Sequence, residues 1–151
     1  MKFMARKIFG GGEGQALVEF AIVLPILMIL LVGMMEFGLL FYNKHVITNA
    51  SREGARYGIV VHAPRRSADQ IKTVVSDYCG DRLITFGAGP LETEVEALSA
   101  AGTPIATSAA LFSDELTVTV TFHYDFLALP NFVAALIGGT DLEAETTMKY
   151  E

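Results

Sequence analysis

One carboxylate in this chain stands where a carboxylate is hard to keep. Glu19 follows Gly14 by five residues, in Gly14-Gln15-Ala16-Leu17-Val18-Glu19-Phe20, and heads a nearly unbroken apolar run. An acid in hydrocarbon costs on the order of 2–4 kcal/mol even on lenient insertion scales, so it needs a partner or a purpose. A cut after Gly14 would supply both. Gln15 would then carry a new, positively charged amino group four residues from the carboxylate. The bland alternative is that Glu19 lies at the headgroup boundary, solvated. The chemistry on offer is charge pairing, not bond making.

No other set of residues points to catalysis. His45, His62 and His123 are far apart, and His123-Tyr124-Asp125 sets His and Asp on one strand face without an evident third ligand. Each histidine reads as a surface or edge residue. Neither a nucleophile motif nor a zinc spacing is present, so no enzyme, metal or cofactor is expected. Cys79 is the only cysteine, which rules out an internal disulfide. It reads either as a small buried hydrophobe or as a bridge to a partner chain.

These residues must be held by a membrane-grade segment. The chain has 151 residues with 52% hydrophobic content, a formal charge of −6 and a mean hydropathy of +0.42. Phe20 to Met35 contains no charge, and Leu24 to Val32 is apolar on every face, which favours lipid over a one-sided core. The uncharged run alone spans roughly 24 Å as helix. A bilayer core of about 30 Å therefore draws in Glu19, Glu36 or both, and a span over about 16–40 follows. Lys2, Arg6 and Lys7 precede it, so the positive-inside bias puts the N-terminus in the cytoplasm and residues 64–151 across the membrane. A cleaved secretory signal would need small residues just past the apolar core. The chain offers Gly33-Met34-Met35-Glu36-Phe37-Gly38 there, with an acid inside it. Losing residues 1–14 removes three bases and one acid, which takes −6 to −8. An acidic domain gives no encouragement to nucleic-acid binding, and Arg65-Arg66 reads as a solvated turn.

Helical spacing continues past the span, to Val61, with the first firm stop at Ala63-Pro64-Arg65. Residues 15–63 thus form one long helical unit, kinked near Ala21–Pro25 because Pro25 removes a donor and crowds the preceding turn. Ala50, Gly54 and Gly58 lie four apart on one face, so another backbone can approach closely there. The strip serves either a second chain or this chain's own sheet. Arg52, Glu53 and Arg56 have the spacing of a helical charge network that anchors the rod to the domain. Glu36 either marks the outer interface or contacts a partner membrane protein.

Beyond Pro64 the pattern is a small α+β domain. Ser67-Ala68-Asp69-Gln70 is a capping box for a helix through Tyr78, closed by Gly80-Asp81. A short strand is expected over Ile84–Gly89, then clear alternation at Leu91–Ala97, Leu116–Phe126 and Leu142–Tyr150. Ser99–Ala110 reads as an unstructured loop and Pro130–Ile137 as a short apolar helix or turn. Two or three antiparallel strands with one apolar face need a cover, and the projecting half of the long helix supplies it. The fold class is α+β, a long N-terminal transmembrane and projecting helix on a small antiparallel sheet.

Three blocks of this layout resemble the TadE-like pilus-assembly proteins, pseudopilins of the tight-adherence type IV pilus system. They are Gly14-Gln15-Ala16-Leu17-Val18-Glu19-Phe20-Ala21 with Leu24-Pro25; Glu36-Phe37-Gly38 with Ala50-Ser51-Arg52-Glu53-Gly54-Ala55-Arg56-Tyr57; and Thr147-Met148-Lys149-Tyr150-Glu151. The resemblance implies a leader over residues 1–14, cut by a prepilin peptidase between Gly14 and Gln15. It implies a minor pilin of the inner membrane that starts or anchors a pilus, with other pilin subunits and inner-membrane platform proteins as partners. It also implies that Glu19 pairs with the Gln15 amino group of a neighbouring subunit and so sets axial register. The rival of another class is an uncleaved, signal-anchored domain that binds an exported ligand or envelope partner.

Overall fold

A computed structural model describes residues 11–84, 90–126 and 139–150. Its dominant element is α1, Gly11–Ile59, a single helix of 49 residues and therefore roughly 74 Å long. It passes through Pro25 as one element. The end falls two residues short of Val61, and the start precedes Gln15. The capping box at Ser67 and Gln70 is formed in both directions and opens α2, Ala68–Gly80. Ile71, Val75 and Cys79 are its buried stripe.

The strands are β1 (Leu91–Leu98), β2 (Pro104–Ile105), β3 (Glu115–Tyr124) and β4 (Thr140–Lys149), in the order β2-β1-β3-β4 with every pairing antiparallel. The architecture is α+β, as the periodicities require. β3 alternates intermediate and buried residues along its whole length. Leu116, Val118, Val120, Phe122 and Tyr124 turn one way and the threonines the other, which is what a half-buried central strand demands. The final strand begins at Thr140, two residues before Leu142, and Tyr150 lies just beyond it.

Ser99–Ala110 corrects the expectation of an unstructured loop. It holds β2 and a 3₁₀ turn, Thr107–Ala109. A side-chain device accounts for this: Asp114 accepts from the Ala100 and Leu111 amides at 3.0 and 2.7 Å, tying both ends of the excursion together. The strand expected over Ile84–Gly89 lies, beyond Ile84, outside the described residues, as does the apolar segment Pro130–Ile137.

The core sits between the sheet and the second half of α1, with α2 beside it. Val46, Ile47, Ala50 and Ala55 of α1 meet Ile71, Val75 and Cys79 of α2 and the inward residues of β3 and β4. Burying each large aliphatic side chain there contributes about 1.5–3 kcal/mol. Glu36 contacts Tyr124 while Gly58 faces Leu116, so β3 runs antiparallel to α1. The ends of β1 and β4 that flank Tyr124 therefore face the apolar half of the rod.

Candidate functional site

The functional residues lie along one helix whose environment changes partway. From Gly14 to Leu31 every position is exposed. The helix is long and apolar enough to cross a membrane, with a mean hydropathy of 2.7 in its most apolar window and none of that window buried. One N-terminal apolar helix of this kind suggests a membrane anchor. From Glu36 onwards burial recurs at 36, 43, 46, 47, 50, 51, 54, 55 and 58, the period of a helix packed on one side.

Gly14 and Gln15 are both inside the helix, which begins at Gly11. The backbone at the expected cut is therefore helical rather than an extended approach to the helix. Among the described residues, nothing beyond its own turn of helix lies within 4 Å of a Cβ placed on Gly14. Glu19 is exposed on the bare section and makes no ion pair among the described residues.

Glu36 is the largest departure from expectation. It is 3% exposed and accepts a hydrogen bond of 2.9 Å from the Tyr124 hydroxyl. Its side chain turns into the chain's own domain rather than outwards. It ties the rod to the end of β3. Burial, and then the carboxylate it donates to, push the Tyr124 phenol well above its ordinary value. A signal for this contact was present: Glu36, Asn43, Ile47 and Ala50 share one helical face, and a buried tyrosine usually finds a partner for its hydroxyl. Around the outside of α1 at this level stand Phe37, Phe41 and Tyr42, 64%, 67% and 45% exposed. Aromatic rings gather at membrane–water boundaries.

Further along, side chains replace backbone pairing. Asn43 donates to the Ile84 carbonyl and accepts from its amide, at 2.8 and 2.9 Å. Lys44 reaches the Glu143 carbonyl, and the Ser51 hydroxyl lies 2.8 Å from that of Thr146. The small-residue strip faces this chain's own domain. A Cβ on Gly54 would stand 2.6 Å from Val75 Cγ2, and one on Gly58 would stand 2.4 Å from Leu116 Cδ2 and 2.7 Å from Ile71 Cδ1. Ala50 is fully buried.

Arg52, Glu53 and Arg56 do not anchor the rod to the domain. Arg56 grips Glu53 through two hydrogen bonds, 3.1 and 2.8 Å, on the outer side of the helix. Those bonds hold the Glu53 carboxyl below its ordinary value and raise the Arg56 guanidinium. Arg52 is exposed. The basic pair Arg65-Arg66 is not a solvated turn either. Arg65 lies over the Tyr150 ring at 4.8 Å and Arg66 over Tyr57 at 3.6 Å, so cation–π contacts clasp the end of the rod to the end of the sheet.

His123 Nδ1 is 2.6 Å from Asp141 on the neighbouring strand, and its Nε2 is 3.5 Å from Asp125. The Asp141 hydrogen bond raises the imidazole's pKa. The third group missing from the sequence pattern thus arrives by strand pairing. The two carboxylates address opposite ring nitrogens, however, so they share no ion, and no metal cluster occurs among the described residues. Cys79 is a buried free thiol pushed up to about 11 by burial, which leaves almost no thiolate at neutral pH.

Residues 14–56 match the TadE-like protein family. The matched segment holds Gly14, Gln15, Glu19, Pro25, Glu36, Ala50, Arg52, Glu53, Gly54 and Arg56, stops before Gly58, and leaves the sheet domain uncovered. It is less than a third of the chain's 151 residues. No curated protein and no solved structure matches the chain. The match suggests a role in tight-adherence pilus assembly, and hence contact with other pilus components.

Proposed function

We propose that this protein is a minor pilin or pseudopilin that is cut between Gly14 and Gln15 by a prepilin peptidase and helps to start or anchor a tight-adherence pilus. One observation carries the reading: the section matched to a structural, pilus-assembly family carries near its start an exposed Glu19 that makes no ion pair among the described residues. A neighbouring subunit's amino terminus, freed at Gln15, is the complementary charge. In hydrocarbon an unpaired carboxylate is costly, so the pair favours one axial offset between helices over all others.

Bare helix up to Leu31, docking from Glu36 and the aromatic collar at 37–42 fit a span whose outer boundary falls near Met35 to Phe41. Lys2, Arg6 and Lys7 favour a cytoplasmic N-terminus, a single pass through the inner membrane and an outward sheet domain. Function on this reading is assembly, with no chemistry performed by the chain.

N-terminal mass spectrometry on cells with and without the peptidase tests the cut. A start at Gln15 only when the peptidase is present is the expected result. A start at Met1 in both would sink the proposal and leave an uncleaved, signal-anchored domain. Glu19→Ala is expected to be cleaved normally and to abolish pilus output. Undiminished output from that variant would remove Glu19 from the mechanism.

A further inference from the structure

The two edges of the sheet are protected differently. On β4, Lys44 from α1 occupies the outward Glu143 carbonyl. On β1, β2 covers only Ala97 and Leu98. Two hydrogen bonds fix which way the β1 backbone faces. The His123 amide bonds Pro90 on the β3 side, and the Ser99 amide bonds Thr103 on the β2 side. Successive residues of an antiparallel strand turn their N–H and C=O groups to opposite sides. Thr93 and Val95 therefore face outward, in register with Ala97, and their backbone groups make no hydrogen bond on that side among the described residues.

A groove follows this open edge. At one end is a depression of about 290 Å³ between Ala68 of α2, Val95, Ala97, Pro104 and Ile105. A second depression, of about 360 Å³, is bounded by Lys72 of α2, by Glu92, Thr93 and Glu94 of β1 and by Thr121 of β3. Helix α2 forms one wall, the strand edge the other, and β2 closes the end. On the solvent face Glu92, Glu94 and Glu96 alternate along β1, opposite Thr121, Thr119 and Thr117. None of the three glutamates makes an ion pair among the described residues.

We infer that the β1 edge from Leu91 to Glu96 accepts an added strand from a partner protein, an extended segment with Lys or Arg at alternate positions and small apolar residues between them. The backbone of such a segment satisfies the outward groups of Thr93 and Val95, the hydrogen-bonding mode by which sheets take up peptides. Its basic side chains fall opposite Glu92, Glu94 and Glu96, and its apolar ones enter the groove. A second copy of this chain is a poor occupant. Its β1 and β4 edges carry Glu92, Glu94 and Glu96, or Asp141, Glu143 and Glu145, so pairing would set like charges opposite one another. The same glutamates thus discourage self-pairing at the edge while selecting a basic partner. This inference does not depend on cleavage at Gly14 or on the role of Glu19, and its test reads neither.

The test uses the full-length protein in detergent micelles and a short synthetic peptide alternating lysine and valine. The expected result is saturable binding, slowed amide exchange at Thr93 and Val95, and affinity about tenfold weaker for Glu94→Lys, from lost cross-strand pairing. A peptide with glutamate in place of lysine is expected not to bind. Val95→Pro should abolish binding; it removes an outward donor while leaving the β1–β3 ladder intact. Should that variant misfold, Glu94→Lys and the wild-type exchange rates still decide. No saturable binding, or binding that leaves exchange at Thr93 and Val95 unchanged, overturns the inference. So does self-association that the peptide cannot displace.

Discussion

The two halves of α1 are the same element under different rules. From Gly14 to Leu31 every position of the helix is exposed, and its sequence is uniform because lipid surrounds every face on the reading proposed here. From Glu36 to Gly58 the residue types repeat at three and four, because one face meets a sheet and the other does not. Polar groups show the contrast best. Glu19 in the first half is exposed and makes no ion pair among the described residues, whereas Glu36 in the second half receives a hydroxyl from Tyr124. Glycines show a related contrast between bare and docked positions: a Cβ at Gly33, or at the exposed Gly38, meets nothing within 4 Å among the described residues, while one at Gly54 or Gly58 meets the core.

Substituting glycines is therefore the strongest way to break the comparison. Gly58→Val should destabilise the domain by about 1–3 kcal/mol, since the new atoms overlap Leu116 and Ile71. Gly38→Ala should be neutral or stabilising by up to about 1 kcal/mol, because a propensity cost is removed and open space filled. Thermal unfolding of the two variants side by side checks the pair, and equal losses would show that bare and docked positions of the rod are not distinct.

Tyr124→Phe comes next. It leaves the buried Glu36 carboxylate without this donor and should cost about 1–3 kcal/mol. A denaturant midpoint is the measurement, with Glu36→Gln expected to recover part of the loss in the Tyr124→Phe background, because a neutral amide tolerates the lost donor better than a carboxylate does.

Smaller still is the pH response at the end of β3. Pairing with Asp141 raises the His123 pKa above the unfolded value of 6.5, so its contribution is complete below that pH. It is lost as pH rises through the folded pKa. The unfolding temperature should therefore decline on going from mildly acidic to mildly basic buffer, and His123→Gln should remove that part of the decline. The smallest effect is expected from Glu53→Ala. Its pair with Arg56 is solvent-exposed, so unfolding should barely move and any change should vanish in high salt.

Much of this was legible from residue order. The α2 capping box, the Leu116–Phe126 alternation and the long apolar run are local patterns, and local patterns survive in a string of letters. Glu36 shows the limit. Its position on the buried face of the helix could be read, but Tyr124 lies far along the chain, and only strand pairing and helix docking bring it within 2.9 Å. Arg65 and Arg66 were misjudged for the same reason, because the rings that receive them belong to Tyr150 and Tyr57. Asp141 completes the His123 cluster only through the β3–β4 register. Ser99–Ala110 carries no periodicity at all; Asp114, outside it, organises it.

What the sequence determined by itself is the helix, its apolar half and the lone Glu19, since hydrophobic length and backbone hydrogen bonding within one segment require no distant partner. What only the tertiary structure decided is where the rod stops being bare, which glycines are forced, and which edge of the sheet lacks hydrogen-bond partners among the described residues. Each of those depends on surfaces meeting across many residues of chain, and spacing along the backbone does not encode such a meeting.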